Sequence, residues 1–195
     1  MKILTIAVLL IYSSISGYSQ CSNFISGQKL QKGMFIRSDP QTIDKKVYTA
    51  EILTVNGTDF TCRYLHSNSL YSFTDFKKAD GGSNATMQAT VKSSKGGGFQ
   101  SGTQFKMNIY MADPDRCQLA DATDKNPYFI IATFLADRKS YLGQIAAEKD
   151  GYVIHFFHSK SKYWTDRNFK VTHVEGGGYL VGSQMNVVHA RTLQF

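Results

Sequence analysis

The chain has little cysteine: Cys21, Cys62 and Cys117 among 195 residues. The number is odd and too small for a disulfide scaffold. No Cys-x-x-Cys and no Cys/His cluster has zinc spacing, so no metal site is expected. Beyond the first residues, no apolar run approaches the length of a membrane span. No stretch of ten or more residues keeps a helical period. Catalytic signatures are missing as well. There is no Gly-x-Ser-x-Gly elbow. The glycine-rich stretches run into Phe or Tyr, not into the Lys-Ser/Thr of a phosphate loop. No cofactor is implied.

The start, MKILTIAVLLIYSSISGYSQ, reads as a secretory signal peptide over 1–19. Lys2 gives the positive end, Ile3 to Tyr12 the apolar run, and Gly17 and Ser19 the −3 and −1 positions of a cut before Gln20. The expected location is secreted, or periplasmic in the cell envelope. An uncleaved anchor is disfavoured by the short apolar run. Cys21 raises lipid anchoring, but Tyr18-Ser19-Gln20 is a poor lipobox because Gln is bulky. In the oxidising compartment an exported chain meets, Cys21 and Cys117 are the pair expected to bridge. Cys62 falls on the apolar face of Phe60-Thr61-Cys62-Arg63-Tyr64 and is expected to be a core thiol.

The formal charge is +7, and nearly all of the mature chain's excess lies in residues 20–112. A polyanion, such as a nucleic acid, an acidic glycan or an anionic membrane surface, could use that charge. No run of basic residues forms a stripe, which fits a plain solubility charge as well.

What the sequence does contain is a repeat. HSNSLY (His66 to Tyr71) returns 92 residues later as HSKSKY (His158 to Tyr163). DKKVYTAEILTV (Asp44 to Val55) matches DRKSYLGQIAAE (Asp137 to Glu148). GGGFQSGTQ (Gly96 to Gln104) matches GGGYLVGSQ (Gly176 to Gln184) at an offset of 80. The difference is assigned to a polar insertion in the first copy, Ala79 to Thr90, expected as a surface loop. Three blocks in one order make a duplication.

Each copy alternates apolar and polar residues with period two, as half-buried strands do: Tyr48/Ala50/Ile52, then Phe60/Cys62/Tyr64. Asn56-Gly57 and Asp150-Gly151 mark hairpins. Pro114 and Pro127 bracket an Asp-rich boundary. The expected organisation is all-β: a first barrel over 20–112, a linker over 113–127 and a second barrel over 128–195. Sheets so small curl closed to remove their edges. The triple glycines permit a tight turn or kink.

Gly33-Met34-Phe35-Ile36, then Tyr-x-Ala-x-Ile, a glycine hairpin and a strand ending on Tyr-x-His resemble the SH3-like barrels of the Tudor and Agenet families. The resemblance covers 33–73 and, less well, 129–165. It implies two tandem small SH3/Tudor-like barrels. It also implies an aromatic cage for methylated peptides, or nucleic-acid binding. By position the cage residues are Tyr48, Tyr64, Tyr71 and Phe73, with Tyr141, Phe156, Tyr163 and Trp164 in the second copy.

His66 and His158 each precede a serine, but strand neighbours point to opposite faces, and no carboxylate is placed to orient either ring. The chain therefore reads as non-enzymatic: an exported binding module for a protein, peptide or polyanionic ligand. Its surface is expected near the repeated loops, possible in the groove between copies, at His66, Ser69, Tyr71, Phe73, Tyr141, His158, Ser161, Tyr163 and Trp164. Lys160, Lys162 and Arg167 add charge around Trp164, the chain's single tryptophan. His155, His173 and His189 are taken as ordinary surface or core histidines. Asn56-Gly57-Thr58 and Asn84-Ala85-Thr86 are formal glycosylation sequons. Two other readings stand beside this one: a cell-envelope enzyme or enzyme inhibitor, and a purely structural envelope protein.

Overall fold

A computed structural model describes residues 21–38, 46–113 and 117–195. The expected signal peptide, the Asp44-Lys45 start of the first repeat and Pro114 lie outside the described residues. Among the described residues, every regular element apart from one short 3-10 turn, Leu119–Asp121, is a strand. The first half holds β1 (Phe24–Ser26), β2 (Phe35–Ser38), β3 (Thr49–Asn56), β4 (Asp59–Tyr64), β5 (Leu70–Lys78), β6 (Met87–Lys95) and β7 (Gln104–Ala112). The second holds β8 (Tyr128–Phe134), β9 (Ser140–Glu148), β10 (Gly151–Phe156), β11 (Lys162–Asp166), β12 (Val171–Glu175) and β13 (Met185–Gln194).

The period-two pattern is what buries the core. Ile36, Ala50, Ile52, Phe60, Cys62, Phe73 and Phe105 all point inward in the first half. Ile130, Ile145, Ile154, Phe156 and Tyr163 do so in the second. The two halves repeat one register. Ile52 faces Cys62, which faces Tyr71. Ile145 faces Ile154, which faces Tyr163.

Strands β2 to β7 close into a six-stranded antiparallel barrel, because β7 pairs with both β2 and β6. The second half does not close to the same extent. Its end strands meet at the single bridge Lys170↔Gln184 and a few backbone hydrogen bonds, such as Val171 N to Ser183 O at 2.8 Å. The cause lies in the twelve-residue insertion. It is not a surface loop alone. β5 and β6 have nine residues each where β11 and β12 have five. The extra arm carries Met87 to Thr90, which pair with Gln104 to Met107 and seal the first barrel. In the second copy that arm is missing.

The halves are not separate beads. β13 pairs with β8 from Met185 to Ala190 and with β7 from Ala190 to Thr192. Its Leu193 then enters the first core. β1 adds on in parallel, Phe24 facing Thr192. An apolar seam of Phe35, Tyr110, Ile131, Leu142 and Ala190 lies between the halves. The stretch expected as a linker packs on the second half: Ala122 is buried in its core and accepts a hydrogen bond from Ala147 N.

The repeated triple glycine has a definite task. Gly96 and Gly176 sit at φ of +75° and +66°, where glycine is favoured. A Cβ on Gly97 or Gly177 would lie 2.0 Å from the hydroxyl oxygen of Tyr71 or Tyr163. Each tyrosine hydroxyl accepts the backbone N–H two residues beyond that middle glycine, Phe99 N and Tyr179 N, both at 3.2 Å. The tyrosine of the His-Ser-x-Ser-x-Tyr phrase and the glycine triplet are two sides of one contact.

Cys21 and Cys117 form the expected disulfide, and Cys62 is free and buried. The bond takes up the Cys21 sulfur that a lipid anchor would need. Burial pushes the Cys62 thiol far up, so it stays neutral. Near Cys117, Asp113 accepts a hydrogen bond from His189 Nδ1 at 2.9 Å and pairs with Arg191 at 2.8 Å, tying the end of β7 to β13.

Two outcomes follow for stability. Reducing Cys21–Cys117, which spans 96 residues, should cost about 2–4 kcal/mol. Urea melts with and without reductant measure it, and unchanged midpoints would mean that the bond does not constrain the unfolded chain. Gly97→Ala and Gly177→Ala should each cost ~1–3 kcal/mol through overpacking against the tyrosine. Gly98→Ala, where a Cβ meets open space, should be close to neutral.

Candidate functional site: the groove between the repeated loops

The two copies of the His-Ser-x-Ser phrase are hairpin turns, β4 to β5 and β10 to β11. Their serines explain the repetition. Ser67 and Ser69 share a hydroxyl–hydroxyl hydrogen bond of 2.7 Å, and Ser159 and Ser161 one of 2.6 Å. Ser69 N donates to Ser67 Oγ, and Ser161 N to Ser159 Oγ. The residue between each pair, Asn68 or Lys160, takes a φ of +56° or +54°. Serine side chains that bond the local backbone hold such a turn in shape.

These turns carry His66 and His158 into one groove of about 730 Å³ between the halves. Arg37, Lys46, Tyr48 and His66 line it from the first half. Gln144, His155, Phe157, His158, Ser159 and Lys160 line it from the second. Three of these are permanent cations. None of the described lining residues is Asp or Glu. Arg37 sits over the Phe157 ring at 4.3 Å, which holds the guanidinium in place.

The histidines are held neutral. Burial, and then the charge of His66, brings His158 down to about 4. Its ring lies flat on Tyr141 at 4.6 Å, with Phe156 beside it. Its Nδ1 is buried without a hydrogen-bond partner, so a proton there would go unsolvated. Burial lowers His66 too, with Lys46 adding to it. Burial and Lys162 lower His155. At neutral pH the groove thus offers lysine and arginine charge beside uncharged imidazoles.

Of the residues expected at the site, His66 and His158 line the groove, and Tyr141 backs it through its stack on His158. The structure places the others outside the groove lining, with Ser69 and Tyr71 at a smaller pocket beside it. Phe73 is 1 % exposed and stacks on Phe60, inside the barrel. Tyr71 and Tyr163, at 4 % and 2 %, are core rings whose hydroxyls serve the glycine turns. Ser161 is buried with its hydroxyl on Ser159. Ser69 donates to Gly96 O at 2.8 Å, although it also edges a smaller pocket. Trp164 packs on His173 at 4.9 Å on the outer face of β11 and is not part of the groove lining. Tyr71, Phe73 and Tyr163 face inward because small barrels fill their interior with aromatic rings.

Arg37, Lys46, Gln144 and Phe157 were not singled out from the sequence. Arg37 and Phe157 lie outside the matched positions, Lys46 and Gln144 fall inside the Asp44–Val55/Asp137–Glu148 block without marking a site, and only the folding of one half on the other brings the four together.

Asp113, Cys117 and His189 are close enough together to suggest a metal site. Cys117 is held in the disulfide and offers no thiolate, and Asp113 is already engaged by His189 and Arg191. That cluster is a structural tie.

No family model matches the chain, and no curated protein or solved structure matches it.

The low His158 value has a sign that can be checked. The unfolded chain takes up a proton near the ordinary value of 6.5, the folded chain only near 4. Between those values the unfolded state binds more protons, so stability should fall as pH drops from about 6.5 to about 4. In His158→Gln the slope across that window should flatten. Identical slopes in urea midpoints of the two proteins would show that His158 is not held neutral.

Proposed function

We propose that this is an exported, non-enzymatic binding protein whose ligand is anionic and lies in the groove between the two repeated turns. One observation carries the reading. Both copies of the duplicated histidine turn open on the same groove, and its described lining has Arg37, Lys46 and Lys160 but no carboxylate. A cleft of one sign attracts and concentrates opposite charge. Arginine and lysine bind carboxylates, sulfates and phosphates through charge-assisted hydrogen bonds. The Cys21–Cys117 bond supports export, because such bonds persist in oxidising compartments. As part of the same proposal, the halves are two tandem SH3-like units of Tudor or Agenet type, derived from one another by duplication. The shared register of Ile52/Cys62/Tyr71 and Ile145/Ile154/Tyr163 supports it.

The other two readings have less behind them. Acid–base catalysis by His66 or His158 calls for an orienting carboxylate, and the described groove lining has none. A purely structural role would fit an apolar face between the halves with no cleft. Here an apolar seam and an open groove lie side by side.

Binding of dextran sulfate, polyphosphate and polygalacturonate to the mature chain should weaken steeply with added salt. Arg37→Gln and Lys160→Glu should each cost ~1–2 kcal/mol of affinity and shallow the salt dependence. The absence of salt-sensitive binding to any of the three would remove the proposal.

A further inference from the structure

The two copies part company just beside the groove. In the first, Tyr48, Tyr64, His66, Tyr71 and Phe99 wall a pocket of about 380 Å³, with Gly96 to Gly98 at its edge. The Tyr48 ring stands at 82° to Tyr64 and at 89° to Phe99, with centroids 5.8 and 5.4 Å apart. Rings set at right angles leave a box rather than a stack. Tyr48 and His66 belong to this pocket and to the groove alike, so the box opens directly beside the cationic surface.

The second copy fills the matching space with its own side chains. Tyr179 stands where Phe99 stands in the first copy, and its ring stacks on Phe134 at 3.5 Å and 8°. Its hydroxyl donates to Asp137 Oδ2 at 2.8 Å and accepts from the Tyr141 hydroxyl at 2.9 Å. Phe99 has no hydroxyl and makes no such anchor. It meets Tyr48, Tyr71 and Phe105 at edges and tilts and is half-buried. One box is thus tied shut and the other is open.

We propose that the groove and the open box form one bipartite site for an acidic polysaccharide of the polyuronate kind. Its carboxylates lie along Arg37, Lys46 and Lys160, and one sugar ring enters the first copy's box. This rests on the anion-groove reading above and names its ligand class. Two features favour a sugar chain over a single-stranded nucleic acid. Nucleic-acid grooves present successive open ring faces for the bases. Here the groove's Phe157 is already covered by Arg37. What the groove offers between its cations is hydrogen-bonding chemistry, from Gln144, His155 and Ser159, suited to a hydroxyl-rich chain. An aromatic wall with polar groups at its edge suits the C–H face and hydroxyl rim of a sugar ring.

The test is calorimetric titration of the mature chain at fixed low salt with three probes: a polygalacturonate oligomer, polyphosphate, which has no ring, and oligothymidylate. Phe99→Ala removes the ring wall. Phe99→Leu keeps the apolar packing and removes only the aromatic face. Both should weaken polygalacturonate binding about tenfold, the loss expected for one ring contact, and leave polyphosphate binding as it was. Unchanged polygalacturonate affinity would put the sugar outside the box and overturn the proposal. Equal losses for both polyanions would mean that Phe99 acts through the fold, and would overturn it too. Tighter, Phe99-dependent binding of oligothymidylate would give the site to nucleic acid instead. In each of those cases the anion groove survives. If no probe binds in a salt-sensitive way, the groove reading itself falls.

Discussion

The pairing of β13 with both β8 and β7 is the constraint on which the rest depends. A ten-residue strand shared in this way turns two repeats into one continuous sheet. It sets the angle at which the halves meet, and the apolar seam of Phe35, Tyr110, Ile131, Leu142 and Ala190 fills the space beneath. The Asp113–Arg191 ion pair, with His189 hydrogen-bonded to the same carboxylate, locks the same junction. Buried ion pairs contribute little net stability, but removing one partner strands the others, so such a cluster discourages sliding of one strand past its neighbour.

With that junction in place, a duplicated turn becomes a composite surface. A single copy presents one histidine beside a serine-clamped hairpin. Two copies facing each other present both histidines, three cations and a shared cleft. Nearness also makes His158 harder to protonate, since burial and then the charge of His66 act on it in the same direction. The charge that the described lining of the groove carries at neutral pH therefore comes from arginine and lysine.

The two copies of the repeat differ. The longer β5–β6 arm closes the first barrel, while the end strands of the second half meet only at one bridge and a few backbone hydrogen bonds. Tyr179 locks the aromatic cluster of the second copy, where Phe99 leaves that of the first open. Twelve added residues mark the first difference, and the stack of Tyr179 on Phe134 with its hydroxyl bonds to Asp137 and Tyr141 marks the second.

Much of this was legible in the sequence. Period-two alternation called for strands, and glycine hairpins located their turns. The matching blocks disclosed an internal repeat, and the placement of the cysteines picked out the Cys21–Cys117 pair. Those signals are local or periodic, so the chain carries them openly. The role of the repeated tyrosine was not legible: Tyr71 and Tyr163 look like surface rings in a polar phrase, yet each packs on a glycine turn 26 and 14 residues away. Nor did the sequence reveal how Arg37 and Lys46 would meet His155, His158 and Lys160. Those contacts cross the junction between halves, and the pairing of β13 with β7 that creates it has no periodicity to announce it. Composition and spacing determined an all-β chain built twice. Only the tertiary structure decided that the two copies would face one groove, because side chains far apart in sequence become neighbours only when the sheet has closed.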